Sequence, residues 1–138
     1  MHLLPLRLLP GADLRLALES HCKAGDSGGY FVLSGIGSLR DPRIRFAGED
    51  GARELRGPFE MVSLQGTVTV DGAHLHVVVS DARGEVLGGH LAPGSLVRTT
   101  AEILLVSSDR WHLGRQHDPG TGFAELTVRP KPGPGNDA

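Results

Sequence analysis

Apolar positions recur along the chain with two different periods. Residues 1 to 9 carry Leu3, Leu4, Leu6, Leu8 and Leu9 around Pro5 and Arg7. This run reads as a first strand, and the proline places it at a sheet edge or at the strand's start. Pro10-Gly11 ends it. Leu14, Ala17, Leu18, His21 and Cys22 then fall at i, i+3, i+4, i+7 and i+8, the stripe of an amphipathic helix. Asp13 stands where a cap or first-turn carboxylate is favoured. Lys23 lies in the last turn and Gly25 can end it. Residues 24 to 29 carry loop chemistry. Tyr30 to Ser34 form a short apolar run expected to be a buried strand. It leads into Gly35-Ile36-Gly37-Ser38, read as a turn or a close-packing site because no third glycine and no helix follow. A second strand is expected over Arg43 to Ala47, and residues 48 to 57 read as a loop.

From Phe59 to Leu105 the period is two. Val62, Leu64, Val68 and Val70 share one parity, and Asp71-Gly72 is a turn signal. Leu75, Val77 and Val79 alternate with His74, His76 and Ser80. Asp81-Ala82-Arg83-Gly84 turns the chain into Glu85 to Leu91. Pro93-Gly94 turns it again into a long strand over Ser95 to Val106. Residues 107 to 122 read as irregular and Phe123 to Val128 as a short closing strand. Residues 129 to 138 contain almost nothing apolar and are expected to be a disordered tail. One principal N-terminal helix among many strands makes an α+β domain with a mostly antiparallel sheet, a single unit over residues 1 to 128.

Composition narrows the class. Apolar residues are 39% and aromatics only 4%, so Leu, Val and Ile must build the core. The 20 glycines and 9 prolines suit short elements joined by tight turns. No apolar run approaches the roughly 18 residues of a membrane helix. Cys22 is the one cysteine, which excludes an internal disulfide and favours a reducing cytoplasm. The first residues do not read as a secretion signal, because Pro5, Arg7 and Pro10 interrupt them and no basic residue precedes them. Fourteen Lys and Arg against 16 Asp and Glu give a net charge of −2, which argues against a binder that relies on phosphate electrostatics.

The strongest chemistry lies in His74-Leu75-His76 and Gly88-Gly89-His90. Side chains at i and i+2 share a face of a strand. If Ala82, Arg83 and Gly84 form a three-residue loop with Gly84 left-handed, Val79 faces Leu87, Val77 faces Gly89 and Leu75 faces Leu91 on the core side. His76 then meets His90 on the other face, with His74 beside them. Directly opposed Cβ atoms are about 5 Å apart and i, i+2 neighbours about 7 Å, so the three rings can share an ion. Zinc held by three imidazoles keeps a fourth position open. Geometry alone also allows a solvated polar face. Ni²⁺, Co²⁺ and Cu²⁺ suit imidazole as well. His112 and His117 read as surface residues, His21 as half-buried on the helix stripe and Cys22 as small core. Glu60 and Glu102 fall in apolar surroundings. Each is either an inward carboxylate serving as a pocket residue, partnered by Arg56, Arg98 or Arg115 or by the N–H of a ligating ring, or a solvated residue at a strand edge. Arg40, Arg43, Arg45, Arg53 and Arg56 read as a solvated charged face.

Gly35-Ile36-Gly37-Ser38, Gly57-Pro58-Phe59-Glu60, Ser63-Leu64 with Gly66, His74-Leu75-His76, Asp81 with Gly84, Gly88-Gly89-His90-Leu91 and Thr100-Ala101-Glu102 occur in that order. Together they resemble the plants-and-prokaryotes conserved domain, over about residues 2 to 128. The resemblance implies a predominantly antiparallel α+β fold, a homotrimer, and a stand-alone bacterial type that carries a DNA-binding label taken from plant proteins. In those plant proteins an AT-hook grips the minor groove. This chain has no Arg-Gly-Arg-Pro core; Val128-Arg129-Pro130-Lys131-Pro132 is its nearest approach. The resemblance also implies a divalent metal, Zn²⁺ first, on His74, His76 and His90. Three functions follow as expectations: a regulatory or ligand-binding metalloprotein with a small molecule near the ion, a zinc-dependent hydrolase or lyase using the open position with Glu60 or Glu102 as base, and a DNA-binding protein.

Overall fold

The computed structural model describes residues 1–25 and 27–132. The elements are β1 (His2–Leu8), α1 (Leu14–Ala24), β2 (Tyr30–Arg40), β3 (Arg43–Arg45), β4 (Arg53–Glu54), β5 (Pro58–Thr69), β6 (Gly72–Ser80), β7 (Val86–Leu91), β8 (Leu96–Ser107), β9 (Trp111–His117) and β10 (Ala124–Pro130). Strands β1 to β8 form one sheet in the order β1-β8-β2-β5-β6-β7-β3-β4, antiparallel at every pairing. β9 and β10 form a separate antiparallel hairpin. This is the mostly antiparallel sheet with one principal helix that the periodicity predicts, and β1 with its proline lies at an edge.

The helix packs on one face of the sheet through Leu14, Leu18 and Cys22, against Leu64, Val68, Leu75, Val97 and their neighbours in one core. Its start is fixed twice by one side chain. Asp13 Oδ1 accepts from Leu16 N at 3.0 Å as the N-cap, and Asp13 Oδ2 accepts from Gly94 N at 2.6 Å in the turn before β8. Farther along the helix, Arg15 pairs with Glu19 at 2.9 Å. Arg15 also donates to the carbonyls of Leu91 and Ala73, and Glu19 accepts from Ala73 N. The helix therefore grips the end of β7 and the start of β6, where the histidines begin.

Several expectations need correction. Gly35-Ile36-Gly37-Ser38 is not a turn but the middle of the continuous strand β2. Its glycines serve close packing: Gly37 has φ +151°, and a Cβ there would lie 2.3 Å from the Thr100 carbonyl oxygen. Parity along β5 breaks at a bulge between Met61 and Ser63, so Phe59 and Met61 point inward and Val62 points out, 53% exposed. A bulge adds one residue and inverts the alternation that sequence reading extends. Val70 and Leu87 are likewise more exposed than their parity predicts. The loop at 48–57 contains the two-residue β4. The segment read as irregular contains β9, and β10 pairs with it rather than closing the main sheet. Arg129 and Pro130 belong to β10, and Lys131 N donates to Arg110 O. The remainder of the expected tail, 133–138, lies outside the described residues.

Replacing Asp13 by Ala removes both bonds that fix the helix start. We expect unfolding free energy to fall by about 1–3 kcal/mol in urea titrations followed by circular dichroism. An unchanged midpoint would show that the helix start is held by packing alone.

Candidate metal centre

The β6–β7 hairpin has the register that the loop assignment requires. His76 pairs with His90, Val77 with Gly89 and Val79 with Leu87. Gly84 is left-handed at φ +81°, and Asp81 exchanges backbone hydrogen bonds across the loop with Gly84 and Glu85. Val77, Val79, Leu75 and Leu91 are buried on the inner face, so the histidines must stand on the outer one. Gly89 serves a close approach: a Cβ there would lie 2.6 Å from the Arg45 carbonyl oxygen, so β3 can pair tightly beside His90.

The three rings converge. Centroids are 5.0 Å apart for His74–His76 and His74–His90, and 5.7 Å for His76–His90. One nitrogen from each ring can be chosen so that all lie within 4.8 Å of one another. His74 Nε2 and His76 Nε2 are 3.2 Å apart. Zn–N bonds of about 2.05 Å at a tetrahedral angle put ligand nitrogens about 3.3 Å apart. The residues present therefore fit a tetrahedral ion. Burial, His76 and Arg115 hold the His74 pKa below the usual imidazole value. Burial, then His74 and Arg45, lower that of His90 to about 4. Rings kept neutral at neutral pH are the form that coordinates a cation.

Across the sheet the outer face reads in rows. Gln65 on β5 pairs with His76, His76 with His90, and His90 with Arg45 on β3. Thr67 pairs with His74. The β9–β10 hairpin rises beside this face, tied down where Arg115 N donates to Asp71 Oδ2 at 3.0 Å and Arg115 Nη2 to Thr67 Oγ1 at 2.6 Å. Two clefts result. One of about 260 Å³ lies between Gln65, His74, His76, Arg115, Glu125 and Leu126. The other, of about 410 Å³, runs past His74 and His90 to Arg15, Arg45, Arg115 and Phe123.

The expected carboxylates are not brought here. Glu60 is exposed and pairs with Ser80, four residues along β6 from His76, or about 13 Å. Glu102 is exposed opposite Arg7 and Ile36 on β8, three strand spacings or about 14 Å from β6, and borders another cavity. The β5 bulge removes Glu60 from the parity that suggested an inward carboxylate. His112 and His117 are exposed and His21 packs half-buried near Tyr30, as expected. Glu125 and Arg115 line both clefts, and Arg45 and Arg15 border the second. The sequence pattern puts neither Glu125 nor Arg45 nor Arg115 beside the histidines, because their placement depends on β3–β7 pairing and on a hairpin whose first strand reads as irregular.

The Plants and Prokaryotes Conserved (PCC) domain matches residues 1–109. The chain belongs to this family. A hypothetical protein from Salmonella enterica is 35% identical to this PCC protein, with TM-score 0.90 and 94% of each chain covered. A metal-containing protein from Archaeoglobus fulgidus is 27% identical, with TM-score 0.78, covering 92% of this chain and 94% of that one. The Bifunctional protein GlmU of Synechococcus sp. (strain JA-2-3B'a(2-13)) is 45% identical over 129 residues, 94% of this chain. The chain spans about a fifth of the length of the curated relatives it matches.

Because His90 titrates lower in the folded than in the unfolded chain, the native state binds fewer protons between about pH 4 and 6.5. Stability of the metal-free protein should be intact above that window and decline as pH falls through it. Proton NMR of the His90 ring should give a midpoint near 4, rising in His74→Gln as a neighbouring imidazole is removed. A midpoint near 6.5 would contradict the burial assigned here.

Proposed function

We propose that this PCC-domain protein is a metal-binding regulatory or ligand-binding protein in which His74, His76 and His90 hold one divalent ion, Zn²⁺ by preference, with a coordination position left for a small molecule. The observation that carries the reading is the convergence of one nitrogen from each ring within 4.8 Å on a solvent-facing sheet. The metal-containing relative from Archaeoglobus fulgidus adds support. An ion held this way offers a Lewis acid and lowers the pKa of a bound water to about 7. Hydrolase or lyase chemistry is the second reading, favoured by Glu125, which lines both clefts with His74 and replaces Glu60 and Glu102 as the carboxylate in reach. Direct DNA contact has weaker support in this chain, since its net charge is −2 and it carries no Arg-Gly-Arg-Pro core.

Purified protein should bind about one Zn²⁺ per chain by equilibrium dialysis and elemental analysis. Each of His74→Ala, His76→Ala and His90→Ala should lower affinity by tenfold or more, about 1.4 kcal/mol. Metal content unchanged in the triple variant would end the proposal.

The homotrimer belongs to the same proposal. Leu33, Ile36 and Val62 leave apolar side chains 55%, 52% and 53% exposed on β2 and β5, where a cyclic assembly of this chain would cover them. Light scattering should give about three times 14.6 kDa. A mass of one chain would refute the trimer.

A further inference from the structure

We infer that the cleft beside the three histidines binds a small molecule through an oxyanion, carboxylate or phosphate, gripped by Arg45 and Arg115 while it reaches the proposed ion. The inference rests on the metal reading above and names its ligand class.

Placement comes first. Arg45 is the register partner of His90, so it stands one strand away from that ring. Arg115 is fastened through Nη2 to Thr67, the register partner of His74. The two guanidinium groups thus bracket the histidines from β3 on one side and from above β5 on the other. Their anchor positions are three strand spacings apart, about 14 Å at the backbone. Both line the same cleft of about 410 Å³ as His74 and His90, a volume suited to a small metabolite rather than a polymer.

Charge decides the ligand's sign. Arg15 also borders the cleft, but its charge is met by Glu19 at 2.9 Å. Among the described residues neither Arg45 nor Arg115 has a carboxylate within 4.0 Å; Arg45 Nη1 reaches only the Glu49 carbonyl oxygen at 3.3 Å, and Arg115 Nη1 the Ala124 carbonyl oxygen at 3.2 Å. Arg115 Nε is buried with no acceptor at all. Asp71 and Glu125 supply the cleft's negative charge, and one Asp71 oxygen is already engaged by the Arg115 backbone N–H. Two arginines against two carboxylates leave the cleft near neutrality. A divalent ion on three neutral imidazoles adds two positive charges that no side chain offsets. An oxyanion cancels that excess and matches the guanidinium fork.

Part of this cleft is built beyond the family match, which ends at residue 109. Arg115, Phe123 and Glu125 come from the β9–β10 hairpin. The hairpin is accordingly the element that sets which oxyanion-bearing molecule is accepted.

Cobalt-loaded protein provides the test, because the visible spectrum of Co²⁺ reports its ligands without any assay of activity. Inorganic phosphate and acetate are titrated separately. The expected result is a saturable spectral change, with the tighter of the two anions identifying the head group. In Arg45→Gln and Arg115→Gln the dissociation constant should rise roughly tenfold while cobalt stoichiometry stays unchanged. The Arg45 side chain makes a single hydrogen bond, to the Glu49 carbonyl oxygen, so its variant keeps the test valid if Arg115→Gln loosens the hairpin. Cobalt bands that ignore both anions, or anion binding equal in Arg45→Gln and the parent, would overturn this inference and leave the metal reading standing. Failure of cobalt to bind would overturn both.

Discussion

The pairing of β6 with β7 in one register is the constraint on which the site depends. Leu75, Val77, Val79 and Leu91 are buried on the helix side, and alternation then forces His74, His76 and His90 to the opposite side. A slip of one residue would bury imidazoles and expose valines. The hydrophobic effect thus fixes the geometry of a polar cluster that contributes little to the core. The three-residue loop closed by Gly84 sets the same register locally, so turn chemistry and core burial agree.

Around that hairpin the fold supplies support in layers. The Arg15–Glu19 pair links the helix to Ala73 and Leu91, at the ends of the two strands that carry the histidines. Gly89 lets β3 approach and sets Arg45 beside His90. The β9–β10 hairpin is tied down by Asp71 and Thr67 and by Gly28 in the loop before β2, and turns an open sheet face into two clefts. Each step adds charged groups to a surface that β6 and β7 alone would leave flat. The low pKa of His90 reflects this enclosure, since burial is its main cause and Arg45 adds to it.

The similarity to part of a much larger bifunctional protein places such a domain within a longer chain there, while the Salmonella relative and this chain match over 94% of each. The elements that build the histidine cluster all lie within residues 1–109, the span that matches the family. The wall that shapes the clefts lies after it.

Much of this was legible in local pattern. Period 3.6 marked α1 and period 2 marked β6 and β8, while Asp81 to Gly84 gave the hairpin register and hence the His76–His90 pair. These features depend on neighbours a few residues apart. The Met61–Ser63 bulge, the continuity of β2 through its glycines, the strand character of Trp111–His117 and the distance of Glu60 and Glu102 from the histidines were not legible. Each is set by contacts between segments far apart in sequence, where close backbone approach or a shared carboxylate outweighs local preference. The sequence by itself determined the trio of rings, because alternation and one tight turn suffice to gather them. Only the tertiary structure decided which charges surround them, because Arg45 and Arg115 reach the site through pairings of β3 with β7 and of a separate hairpin with Thr67.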